Sequence, residues 1–128
     1  MNWEEAAAMR RGGMAVGSHT HTHALLAKLP PESQRDEMAC SKAIIERELG
    51  VPCEALAYPY GLPSSIGSET PELARQAGYR LAFSFHGGVN RAGADPYRLQ
   101  RSGPSAETGT SRFRMQTLTA AVSGRYSY

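Results

Sequence analysis

Residues 14–26 read MAVGSHTHTHALL, and the fold turns on how this stretch is read. The apolar run Met14-Ala15-Val16 meets Gly17-Ser18, and then His19, His21 and His23 alternate with Thr20 and Thr22. The chain has 4 histidines in all, so most of its imidazole sits in one short segment. MAVGSH is predicted as a short buried strand. Histidines placed directly after it stand where parallel α/β folds collect their active residues, at a strand end. Neutral imidazole is a common ligand for zinc and its neighbours. His19 and His23 are four apart, which places them on one face of a helical turn and also on one face of an extended segment. His21 joins that face only if the segment is extended. Thr20 and Thr22 are expected to orient the rings through hydrogen bonds. The competing reading is a polar loop that merely contains histidines.

Working outward, NWEEAAAMRRGG predicts a helix: Asn2 caps it, Glu4 and Glu5 fill its first turn, Arg10 and Arg11 its last, and Gly12-Gly13 stop it. Downstream, PPESQRDEMACSKAIIERELG predicts the longest helix, with Pro31 near its start and Gly50 at its end. Met38, Ile45 and Leu49 fall on one face of it. CEALAYPYG is strand-like until Pro59 and Gly61. SETPELARQAGY predicts a short helix capped by Ser68 or Thr70, with Pro71 in its first turn and Gly78 at its close. RLAFSF and YRLQRSG are predicted strands. The polar tail from Ser105 holds FRMQTLTAAV, a last helix or strand. The alternation of helix and strand implies α/β architecture around a parallel sheet. Three strand ends then share one rim: His19, the Tyr58–Gly61 turn, and Phe85 to Asn90.

Two of those ends carry further candidates. In LAYPYG, Pro59 fixes its own φ, Gly61 permits close backbone approach, and Tyr58 and Tyr60 offer ring faces suited to a sugar. An ordinary Pro-Gly turn with aromatic core filler is the alternative. In FHGGVN, Gly87-Gly88 either forms a simple turn or gives a ligand access to His86 and Asn90.

Composition bounds the rest. With 128 residues, one domain is the expectation. A net charge of +2, with arginines spread along the chain, argues against nucleic acid and anionic membrane as partners. No apolar run approaches the ~20 residues of a membrane span, and the first residues lack the apolar centre of a secretory signal. Cys40 and Cys53 lack metal-site spacing and are read as free thiols, with a disulfide the alternative.

Taken together, the histidine segment, the helix after it and the Tyr-Pro-Tyr-Gly turn resemble the polysaccharide deacetylases, the NodB-like carbohydrate esterases. The histidines match that family's His-Ser/Thr-x-x-His motif, and AGYRLAFSFHGGVNRAGADPYRLQR resembles the segments that follow; the likeness spans roughly residues 2–101. It implies a distorted (β/α) barrel, a divalent metal, most often zinc, held by one Asp and two His, and a metal-activated water attacking the acetamide of an N-acetylated sugar in a poly- or oligosaccharide. It implies His19 and His23 as metal ligands, Thr20 at the motif's hydroxyl position, and Tyr60 as the residue whose backbone N–H holds the oxyanion. Tyr58, Pro59, Gly61 and Asn90 are the expected substrate contacts. It also suggests a cell-envelope or extracellular setting.

The departures are equally specific. The family's Asp-Asp pair, which supplies the base and the third ligand, has no counterpart here: the only aspartates are Asp36, in the long helix, and Asp95. Ala57 stands where many members carry Arg. Leu99-Gln100-Arg101 stands where a Leu-x-His acid motif is expected, leaving His86 as the substitute acid. The expectation is therefore a partial (β/α) barrel lacking its first strands, spanning residues 1–104 with a 105–128 tail, with a metal site short of its third ligand. Such a chain is expected to deacetylate weakly alone and to self-associate through an exposed sheet edge. The alternative is a glycan- or metal-binding remnant without turnover.

Overall fold

The computed structural model describes residues 1–101 and Gly103. The 105–128 tail, and with it the expected last helix or strand, lies outside the described residues.

Local sequence sets the helices. α1, Trp3–Arg11, opens on a reciprocal capping box: the Asn2 side chain accepts from the Glu5 N–H at 2.8 Å, and the Asn2 N–H donates to the Glu5 carboxylate at 2.7 Å. α2, Pro31–Leu49, ends at Gly50, which takes the left-handed conformation at φ 65°. Its buried face runs through Gln34, Met38 and Ser41, with Ile45 packed on the core. α3, Thr70–Gln76, starts after Glu69 without a side-chain cap. Neither Ser68 nor Thr70 caps it as expected. The Thr70 hydroxyl instead donates to the Gln34 side-chain oxygen at 2.6 Å and ties α3 to α2, because that partner is buried and in reach.

The sheet is narrower than the sequence suggests. β1, Ala55–Ala57, and β2, Leu81–Phe83, pair in parallel with Leu56 opposite Ala82. Single parallel bridges extend the array on both sides, from Ser18 to Leu56 and from Phe83 to Leu99. The spatial order of these four segments therefore follows the chain order. The expected strand over MAVGSH is a single bridging residue: Ser18 is buried, while Met14, Ala15, Gly17 and His19 are exposed. The expected strand over YRLQRSG is likewise reduced to the Leu99 bridge. Among the described residues the array is an open arc, not a closed barrel.

One face of the arc packs under the helices. Leu56, Ala82 and Met38 are fully buried there, with Leu26 and Leu73 beside them. Three tyrosines cross-link this layer. The Tyr58 hydroxyl donates to the Tyr97 carbonyl at 3.0 Å, the Tyr97 hydroxyl to the Tyr79 carbonyl at 2.8 Å, and the Tyr79 hydroxyl to the Met38 carbonyl at 2.9 Å. Each buried hydroxyl thus has an acceptor, which the low dielectric of a core demands. Cys40 is exposed and Cys53 buried, and both are free thiols.

Candidate metal centre

The histidine segment leaves the sheet at Ser18 and runs as an irregular loop to the short 3-10 turn Leu26–Lys28. His19 and His23 do converge, but neither a helical turn nor a strand brings them together. Two left-handed residues fold the loop back: Thr20 at φ 64° and His23 at φ 61°. The ring centroids of His19 and His23 stand 4.9 Å apart, edge to face at 71°. The Tyr60 ring stands 5.0 Å from that of His23, again edge to face. Tyr60 is the third non-glycine residue with positive φ among the described residues, at 62°. The three such positions all lie in the two loops that carry the His19, His23 and Tyr60 rings, and backbone strain of this kind concentrates at functional sites.

His19 is anchored. Its Nδ1 lies 2.6 Å from the Ala57 carbonyl oxygen at the end of β1. A carbonyl only accepts, so Nδ1 carries the proton and Nε2 keeps the lone pair that a metal takes. The arrangement supplies two of the ligands a divalent metal needs. Among the described residues no group of three His, Cys, Asp or Glu side chains is placed to hold a metal ion, so the pair fits part of a ligand set and not a whole one. Asp95 is committed elsewhere: it accepts from the Tyr97 N–H at 2.9 Å and pairs with Arg98 at 3.4 Å. Asp36 lines a separate hollow with His21 and Cys40.

Neither threonine hydrogen-bonds to a histidine ring among the described residues. The Thr22 hydroxyl donates to Glu37 of α2 at 2.7 Å, and Glu37 also accepts the Thr22 N–H at 2.8 Å and the His21 N–H at 3.0 Å. Partial burial works against the Glu37 charge, but the bonds from Thr22 and His21 outweigh it and hold the carboxyl below the usual carboxylate value. Thr20 is buried; its N–H donates to the Ser18 hydroxyl at 3.2 Å, and its own hydroxyl has no partner among the described residues. Glu37 escaped the sequence reading because it lies a helix away. The only available signal was an acid one residue before the buried Met38.

The Tyr-Pro-Tyr-Gly turn divides its residues. Tyr58 is 1% exposed and Pro59 is buried with it, so the ring face expected to stack on a sugar is packed into the core. Tyr60 is 55% exposed and presents its ring beside His23. Gly61 has φ 70°, and a Cβ there would lie 2.3 Å from the Phe85 nitrogen; its carbonyl accepts the Phe85 N–H at 2.8 Å. Glycine is therefore required by both dihedral and space.

The third strand end behaves differently. Asn90 and Gln100 clasp each other, the Asn90 amide donating to the Gln100 carbonyl and accepting the Gln100 N–H, both at 2.8 Å. That clasp spends the groups expected to meet substrate on closing a loop. His86 lies 3.3 Å from the Gly61 carbonyl and lines a cavity of about 320 Å³ with Tyr58, Ser84 and Gln100. His19 lines a different cavity, of about 390 Å³, with Gly17, Ala57, Phe83 and Arg101. Arg101 stands over the Phe85 ring at 5.1 Å. A guanidinium stays charged at neutral pH and does not serve as a proton donor.

A polysaccharide deacetylase family model matches residues 1–82. YxkH of Bacillus subtilis (strain 168), which carries a provisional polysaccharide deacetylase name, is 29% identical over 98 residues, covering 77% of this chain and 34% of that protein. Two solved structures share the fold. The Streptococcus pyogenes deacetylase PplD, determined in complex with acetate, superposes with a TM-score of 0.79 at 23% identity, over 90% of this chain and 50% of that one. BC0361, a polysaccharide deacetylase from Bacillus cereus, gives 0.76 at 24%, over 90% and 36%. The chain thus spans about a third of the curated relative and half or less of these two structures.

Proposed function

The chain belongs to the polysaccharide deacetylase family, and from that premise we propose that it forms part of a hydrolase removing acetyl groups from N-acetylated sugars of a poly- or oligosaccharide. The carrying observation is the pairing of His19 and His23 at 4.9 Å beside the exposed Tyr60. In this reading the open arc is a segment of the family's distorted barrel. His19 and His23 hold a divalent metal, most readily zinc, through imidazole nitrogens. Such a metal, when bound, lowers the pKa of a water and polarises a carbonyl. The Ala57 carbonyl keeps the His19 lone pair on Nε2. Tyr60, turned left-handed by its loop, offers its ring to the sugar and its backbone N–H to the developing oxyanion.

A second reading rests on one observation. No carboxylate joins the imidazole pair among the described residues. General-base help is typically worth about 10²–10⁴-fold, so the chain alone is expected to bind zinc weakly and to turn over slowly or not at all. It then acts as a glycan- or metal-binding module.

The test is acetate release from an N-acetylglucosamine oligomer by the full chain, with and without zinc, alongside nuclear magnetic resonance of the labelled chain. Zinc is expected to perturb His19 and His23, and the oligomer to perturb Tyr60. Zinc-dependent release lost in His19→Ala selects the enzyme reading; perturbation without release selects the binding reading. Both fall if neither probe disturbs these residues.

A further inference from the structure

The loop from His19 to His23 holds two non-glycine residues in left-handed conformations, one of them the β-branched Thr20. For such a residue this is an outlier, and it persists only where the surroundings enforce it. Between these two residues the loop is held by a single carboxylate. Glu37 accepts from His21 N–H, Thr22 N–H and the Thr22 hydroxyl, at 3.0, 2.8 and 2.7 Å. The preceding N–H, that of Thr20, is taken by the Ser18 hydroxyl, itself 2.8 Å from the Ser41 hydroxyl of α2. Three successive N–H groups of the loop are therefore bound, two of them by Glu37. Glu37 sits mid-helix next to Met38, which is fully buried, so its backbone is fixed to the core. Charge-assisted bonds of this kind are the stronger ones. Glu37 hydrogen-bonds to neither His19 nor His23; it holds the backbone between them.

We infer that Glu37 is a positioning residue: it sets the separation of the His19 and His23 rings and, through it, the affinity of this pair for a divalent metal. The inference rests on the metal reading above only in its second half.

The experiment uses the full, isotope-labelled chain as wild type, Glu37→Gln, Glu37→Asp and the exposed control Glu32→Gln. Without metal, the nuclear Overhauser contact between the His19 and His23 rings reports their separation, and the His21 and Thr22 amide shifts report the bonds to Glu37. With metal, zinc titration by calorimetry reports affinity, and thermal melting reports stability. Glu37→Gln is expected to lose the ring contact, move both amide shifts and weaken zinc by about 10–100-fold, the usual cost of removing a group that orients a metal ligand. Glu37→Asp keeps the charge and should restore part of each readout; Glu32→Gln should change none. A Glu37→Gln chain that melts earlier but keeps the ring contact and its zinc affinity has lost only stability, and overturns the inference. If the Gln variant does not fold, Glu37→Asp decides by the same readouts. If the wild type binds no zinc, the metal reading fails, while the ring contact in the metal-free variants still decides whether Glu37 sets the pair.

Discussion

The Nδ1 atom of His19 lies 2.6 Å from the carbonyl oxygen of Ala57, joining the histidine loop to the end of β1. The contact uses backbone, so it does not depend on the Ala57 side chain. It fixes a tautomer: proton on Nδ1, lone pair on Nε2. In the neutral ring, the nitrogens of His19 should show a protonated Nδ1 and a bare Nε2 by heteronuclear correlation. The reverse pattern would remove the geometric basis for metal binding through Nε2.

Gly61→Ala should be among the most damaging small substitutions. The added Cβ meets the Phe85 nitrogen at 2.3 Å in a backbone already at φ 70°. A loss of at least about 2–3 kcal/mol is expected from strain and clash together. Urea unfolding measures it; a change within error of zero would mean the turn relaxes freely.

Alkaline pH should unfold the chain early. Burial raises the pKa values of Tyr58 and Tyr79 above the ordinary 10. The folded state then holds these protons more tightly than the unfolded one. Their contribution is complete below about pH 10 and is lost as pH rises beyond it, because only the unfolded chain ionises readily. Denaturant midpoints at rising pH should fall above about 10, and less steeply in Tyr58→Phe, which has one such group fewer.

The contact between Thr70 and Gln34 should behave as a coupled pair. Thr70→Val leaves the Gln34 side-chain oxygen, bonded at 2.6 Å in the native chain, without its donor. The expected cost is about 1–3 kcal/mol. Gln34→Leu in the Thr70→Val background should recover part of it, and strictly additive losses in the double-mutant cycle would contradict a direct interaction.

Self-association is the fifth expectation. The segment 14–19 pairs with β1 on one side through Ser18, and among the described residues no strand pairs with its other side. An open edge is a template for another chain. Sedimentation should depend on concentration, and Val16→Lys should reduce that dependence. A monomer at every concentration would count against the edge as an association surface.

Much of the local architecture follows from residues that are neighbours along the chain. The Asn2–Glu5 capping box, the α2 boundaries from Pro31 to Gly50, and the positions of the strand ends all follow from groups a few residues apart, where propensity and hydrogen bonding are local. The two motifs that identify the family are equally local. The remaining features are set by contacts between distant elements. Whether Tyr58 faces a ligand or the core depends on Tyr97, 39 residues away, and whether Asn90 is free depends on Gln100 across a loop. The loop geometry that brings His19 to His23 depends on Glu37, 15 residues beyond Thr22 on another element. Spacing alone offered a helical turn or a strand to join the two rings. The loop takes neither path, because a helix anchored in the core through Met38 presents one carboxylate to its N–H groups and makes two left-handed residues the better compromise.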